Sequence, residues 1–98
     1  MGGSKERELE NRLGVLLAHL LKWVYQPERR GNSWRAMIIE QRRRIERVLR
    51  KNPSLNAKLG EAFCDAYGDA RLIASRETGI AADVFPENSP FPLESSAE

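Results

Sequence analysis

Cysteine and histidine occur once each in this 98-residue chain, at Cys64 and His19. A single cysteine excludes an intrachain disulfide and fits a reducing, cytoplasmic setting. A single histidine with no second Cys or His at ligand spacing excludes the usual zinc sites. Long apolar runs are missing too. The longest, Leu13 to Tyr25, has thirteen residues and is interrupted by His19 and Lys22, whereas a bilayer span needs about 20. Glu6, Glu8 and Glu10 precede it and no small-x-small site follows, unlike a secretory signal. Glu6 also stands where a myristoylation signal needs Ser or Thr. Strand-type alternation and internal repeats are absent, and no cofactor is implied.

What is present suits one globular core. Hydrophobic residues make up 41% and charged residues 31%, which argues against disorder in the body of the chain. Net charge is +2, but it is unevenly placed. Arg29 to Lys51 hold nine Lys or Arg against two Glu, a local +7, and the rest of the chain carries −5. A basic middle between acidic ends is the main electrostatic feature.

Apolar periodicity predicts an antiparallel three-helix bundle over residues 1–79, followed by an extended tail over 80–98. The predicted helices run over about 4–25, 33–51 and 54–78. In the first, Leu9, Leu13, Leu16, Leu20 and Val24 mark one face, and Leu17, Leu21 and Tyr25 widen it. Gly14 and Ala18 lie on its margin, where another helix can come close. Such a helix reads as central, packed on more than one side. Ser4 is the expected N-cap, and Gln26-Pro27 ends the helix. Asn32 or Ser33 is expected to cap the second, whose inward stripe is Trp34, Met37, Ile38, Ile45, Val48 and Leu49. Gln41 falls in mid-stripe, where an apolar residue belongs. Glu40–Arg44 and Glu46–Arg50 are i,i+4 pairs in the favourable order. Pro53 or Ser54 opens the third helix, which carries Leu55, Leu59, Phe63, Ala66, Ala70 and Ile73, flanked by Ala62 and Tyr67. Gly79 stops it. Val84, Phe85 and Phe91 can pin the tail, and Glu94–Glu98 are expected to be disordered.

Each chemical candidate has a structural alternative. His19 lacks companions for a metal site and a partner for general-base work, so a hydrogen bond to Gln41 across the first two helices is the simpler expectation. Cys64 sits opposite the apolar stripe with no nucleophile signature around it, and reads as inert. Glu61, Asp65 and Asp69 form an i, i+4, i+8 ladder, but one helix rarely supplies a full coordination shell. Trp23, Tyr25 and Trp34 flank a basic loop with Arg29, Arg30 and Arg35. That combination serves base stacking or, equally, cation–π contacts at a helix turn. Arg42, Arg43 and Arg44 point three ways from a helix, leaving Arg43, Arg47 and Arg50 as its outward set.

One run is distinctive. His19-Leu-Leu-Lys22-Trp23-Val-Tyr25-Gln26-Pro27 leads through Arg29 to Ser33-Trp34 and then to Ile38-Ile-Glu40-Gln41-Arg42. Pro53-Ser-Leu, Ala66-Tyr67, Asp69-Ala-Arg71, Glu77-Thr-Gly79 and Phe85-Pro86 follow. This pattern resembles the bacterial and cyanobacterial family catalogued as domain of unknown function twenty-nine. The resemblance covers most of the chain and implies a helical fold, with His19, Trp23, Gln26, Ser33, Trp34 and Gln41 as structural motif residues. It implies no activity. Relatives often carry a cysteine where this chain has Ser89, and a further helical segment ahead of Gly3. The upstream segment is expected to be missing here, through an internal start or a shortened chain.

No catalytic constellation emerges, so the function read from the sequence is a non-enzymatic protein–protein interaction module. Val15, Leu17, Leu21 and Ile39 are the expected uncovered apolar set, available for self-association or a partner helix. The alternative is nucleic-acid binding through Arg29, Arg30, Arg35, Arg43, Arg47 and Arg50. An enzyme site around His19, Gln41 and the Arg29–Arg35 loop is the third and weakest reading.

Overall fold

A computed structural model describes residues 2–91, the first three by their backbone alone. The expected disorder at Glu94–Glu98 lies outside the described residues. Three helices run antiparallel: α1 over Gly2–Tyr25, α2 over Asn32–Lys51 and α3 over Leu59–Thr78. Short 3-10 turns occupy Pro27–Arg29, Pro53–Lys58 and Ala82–Val84. The all-α bundle is the one the periodicity predicts.

α1 is the central helix. It packs along both α2 and α3, whereas α2 and α3 are joined through the Pro53–Lys58 turn, which packs on each. The α1–α3 seam is made of small residues. Gly14 and Ala18 of α1 are buried, and they face a helix whose buried set includes Ala62, Ala66, Ala70 and Ala74. A Cβ built on Gly14 would stand 3.9 Å from the Ala66 backbone oxygen. That close approach lets Leu9, Leu13, Leu16, Leu17 and Leu21 be fully enclosed.

Two expected surface residues are therefore corrected. Leu17 and Leu21 have no exposed area and belong to the core. They were expected to be left uncovered because the apolar arc of α1 is wider than one neighbour can cover. Neighbours on two sides, with the turns between them, cover it. Val15 is half-buried, and Ile39 alone of that set is exposed. Val24, placed on the inward face by spacing, is exposed at the end of the helix.

The helix ends also differ from expectation. α1 already includes Ser4, so that residue does not precede the helix. α2 starts at Asn32, so the N-cap position falls on the extended Gly31, which has no side chain to cap with, and not on Asn32 or Ser33; the Arg35 N–H makes the first helical bond, to the Gly31 carbonyl at 3.0 Å. α3 begins at Leu59, five residues later than predicted. Pro53 opens a 3-10 turn, the Asn56 side chain bonds the Pro53 carbonyl at 3.1 Å, and Lys58 leaves helical geometry at φ −106°, ψ 4°. Local side-chain bonds of this kind compete with the helical ladder. Gly79 ends α3 as predicted, at φ 81°, with its N–H on the Ser75 carbonyl.

The tail is anchored by Phe85 and by Phe91, which packs on the core; Val84 is exposed and holds nothing. Phe85 meets Tyr25 edge-to-face at 5.0 Å. The Tyr67 hydroxyl donates to the Pro86 carbonyl at 2.7 Å, and Arg71 donates to the Ala82 carbonyl at 3.1 Å. Burial pushes the Tyr67 phenol above its ordinary 10.0, which keeps it a donor. Truncating Phe85→Ala should cost about 3–5 kcal/mol, and Gly79→Ala about 1–2 kcal/mol through left-handed strain. Urea denaturation checks both; a Phe85→Ala midpoint equal to wild type would refute the anchoring role of the tail.

Candidate functional site

The outer face of α2 is the most distinctive surface. Its heptad-like spacing turns Ile38, Gln41, Ile45 and Val48 inward. The opposite side carries Ala36, Ile39, Glu40, Arg43, Arg44 and Arg47, which line a shallow groove of about 500 Å³. A second groove of about 370 Å³ runs between α1 and α2, lined by Leu20, Trp23, Arg35, Ile38, Ile39 and Arg42. Ile39, 47% exposed, is the ridge shared by both.

Charge frames this ridge. Of the six arginines on α2, Arg44 alone makes an ion pair among the described residues, with Glu40 at 2.9 Å. The expected Glu46–Arg50 pair is not formed, since both side chains extend into solvent where such a contact gains little. Arg35, Arg42, Arg43 and Arg47 are left to face outward partners, and the Arg42 Nε is buried without a hydrogen-bond partner. An aliphatic ridge between guanidinium groups offers apolar contact at the centre and anion contact at the rim.

The loop below this face is a structural joint. Arg30 lies over the Trp23 ring at 5.2 Å, and its Nε donates to the Trp23 carbonyl at 2.7 Å. This occupies one of the loop arginines and one face of the aromatic ring, so the pair is spoken for by the fold. Arg29 is exposed and belongs to the 3-10 turn, away from the residues lining either groove. Arg50 likewise lines neither groove. The six predicted basic residues therefore divide, with Arg35, Arg43 and Arg47 around Ile39 and the other three elsewhere.

Of the predicted motif residues, Trp34 sits at a helix crossing, where it meets Lys22 of α1. Lys22, 7% exposed, pairs with Glu77 of α3 at 2.5 Å and lies 5.4 Å from the centre of the Trp34 ring of α2. One ammonium group thus ties all three helices. The spacing of α1 did not reveal this pair, because Glu77 is 55 residues away; the sole signal was a lysine inside an apolar run. Trp34, placed on the inward stripe by spacing, is half-buried and packs its ring against the Lys22 ammonium. Its truncation should therefore cost about 2 kcal/mol, less than for a core tryptophan. Gln26 is half-buried at the end of α1, its N–H on the Lys22 carbonyl, and Ser33 is exposed in the first turn of α2.

His19 and Gln41 do not bond each other. The His19 Nδ1 bonds the Val15 carbonyl of its own helix at 2.8 Å, the local acceptor one turn back. Gln41 reaches the Met37 sulfur on α2 at 3.9 Å. Cys64 is exposed. Glu61 and Asp65 line a hollow of about 300 Å³ with Glu6, Glu10 and Lys58, where Lys58 pairs with Glu6 at 2.9 Å. Among the described residues no group of three or more His, Cys, Asp or Glu could hold a metal ion. No helix among them is long and apolar enough to cross a membrane.

These features define a small all-α domain whose distinctive surface is a helix face, with polar groups clamping the helix crossings. The chain belongs to the family described as domain of unknown function DUF29, whose model matches residues 1–98. No curated protein and no solved structure matches it.

Lys22 dictates how the bundle responds to acid. The Lys22 side chain bonds the Glu77 carboxylate and holds its pKa below the ordinary 4.5. A carboxylate depressed in the folded state stabilises the fold above its ordinary pKa, and that contribution is lost as pH falls through the folded value. Stability should therefore drop below about pH 4.5, and Glu77→Gln should remove that part of the pH dependence. At neutral pH, Glu77→Gln should cost about 1–2 kcal/mol, discounted for the exposure of Glu77. Lys22→Met, which removes the buried charge, should be milder. Chemical denaturation between pH 3 and pH 7 tests this (about four units, spanning both states); identical profiles for wild type and Glu77→Gln would contradict it.

Proposed function

We propose that this protein is a non-enzymatic interaction module that holds an acidic, amphipathic segment of a partner protein on the outer face of α2. The observation that supports it most directly is Ile39, half-exposed between two grooves and ringed by Arg35, Arg42, Arg43 and Arg47. A helix that lays apolar side chains beside Ile39 and carboxylates on the rim satisfies both features. A second copy presenting the same face would set guanidinium against guanidinium, so a partner bringing acid is favoured over a symmetric pair. The lone, exposed thiol fits work in a reducing compartment such as the cytoplasm.

Nucleic acid is the competing reading, carried by the local positive charge. The face is less suited to it. An aliphatic ridge occupies its centre, and the Trp23 ring is already covered by Arg30. Stacking platforms need open aromatic faces.

Two fluorescent probes separate the readings: a designed amphipathic peptide with leucine on one face and glutamate on the other, and a mixed-sequence DNA duplex. Ile39→Asp and the double variant Arg43→Glu, Arg47→Glu should each weaken peptide binding by about tenfold or more, roughly 1.4 kcal/mol. Peptide affinity should fall modestly with salt. Tighter duplex binding, steeply salt-dependent and unaffected by Ile39→Asp, would overturn the proposal in favour of nucleic acid.

A further inference from the structure

Gln41 is the one polar residue in the buried set of α2, at 7% exposure. Its Nε2 donates to the Met37 sulfur at 3.9 Å, a weak bond. Its Oε1 is closed off from solvent and has no hydrogen-bond partner. Sulfur accepts a hydrogen bond and cannot supply one without a proton, so the amide is oriented with nitrogen toward Met37. The unmatched atom is therefore an acceptor. A leucine of similar size would avoid this burden, and the surrounding stripe is aliphatic, so the amide weakens the core that contains it.

Gln41 is also a wall of a groove between α1 and α2. The groove holds about 450 Å³ and is lined by Arg7, Glu8, Asn11, Arg12, Val15 and Gln41. Arg12 approaches Glu8 through a terminal nitrogen at 3.6 Å, while its Nε is buried with no partner. Gln41 of α2 and Arg12 of α1, each carrying a buried polar atom without a partner, thus both line one groove. Two guanidinium groups against one carboxylate make it an anion site, and Val15 is its one apolar residue. Its size lies in the range of small-molecule sites. It shares no residue with the face around Ile39 and does not depend on the reading given to that face.

We propose that this groove binds a small carboxylate bearing a hydroxyl or ammonium group, that is, a hydroxy acid or an amino acid. The carboxylate accepts from the Arg12 Nε–H, with Arg7 adding charge at the mouth. The hydroxyl or ammonium donates to Gln41 Oε1. Both long side chains rotate onto the ligand, which supplies each with the partner it lacks. Glu8 and Asn11 stand beside them as further polar contacts for the ammonium or hydroxyl. Purely apolar ligands and metal cations are disfavoured by the same lining.

The test uses the full chain and four probes: malate and glutamate, with succinate and glutarate as analogues lacking the hydroxyl or the amine. Nuclear magnetic resonance follows the Gln41 side-chain amide and the Arg12 Nε–H during titration. At least one of malate and glutamate should shift both signals and bind about tenfold or more tightly than its analogue, because a site built around a donor rejects the molecule without it. Gln41→Leu should abolish that preference while raising Tm by about 4–8 °C, since it removes an unmatched buried atom. Arg12→Gln should weaken binding of all four probes. Equal affinity for parent and analogue, no shift at these two groups with any probe, or a Gln41→Leu variant that melts lower than wild type would each overturn the proposal. The last result would mean that the amide supports the fold.

Discussion

The close approach of α1 and α3 is the constraint on which the rest of this structure depends. Glycine and alanine on α1 meet alanines on α3, and the Ala66 carbonyl lies within ordinary contact of a Cβ at position 14. Helix backbones separated by small side chains can bring the larger side chains beside them into full enclosure. Leucines at 13, 16, 17 and 21 have no exposed area for this reason. A bulkier residue on the seam would push α3 outward and reopen the space those leucines fill.

That arrangement determines what is left for α2. With α3 pressed against one side of α1, α2 covers another, and the two outer helices are linked by the Pro53–Lys58 turn. α2 therefore has a single helical neighbour for most of its length. Its inward stripe is narrow, with four buried residues, one of them polar. The larger part of its circumference faces outward, and six arginines occupy it. The local +7 that stood out in the sequence is thus spread around the free circumference of one helix and the loop before it. The exposed ridge at Ile39 and the groove beside Gln41 both follow from a helix packed on one side only.

Much of this was legible in the residues. Periods of three and four located all three helices, Gly79 and Gln26-Pro27 marked two of their ends, and the wide apolar arc of α1 correctly implied a central helix. The arc alone could not say how many neighbours cover it, so Leu17 and Leu21 were misplaced on the surface. Spacing describes a helix as a cylinder; it does not count the cylinders around it. The caps failed for a different reason. Asn32 and Ser33 are good capping types, but the extended residue that precedes the helix is Gly31, so both already lie inside its first turn. The Lys22–Glu77 pair was illegible because it joins residues from opposite ends of the chain. Gln41, by contrast, declared itself as a polar residue in an apolar stripe, although the partner expected for it, His19, turns back to its own helix.

Lys22 and Gln41 show two outcomes of one physical problem. Each is a polar residue 7% exposed, Lys22 on α1 and Gln41 on α2, where desolvation must be offset by a partner. Lys22 receives a carboxylate from α3 and an aromatic face from α2, so its burial joins three helices in one geometry. An apolar replacement removes this tie together with the buried charge that requires it. Gln41 receives a sulfur from its own helix and nothing for its oxygen. Its burial joins no elements and fixes no crossing angle. A buried polar group that organises the fold should have its partners within the fold, as Lys22 does. Gln41 lacks them and opens onto a groove whose opposite wall carries an unmatched donor. The difference between these residues is therefore the physical argument that one serves architecture and the other serves a molecule from outside.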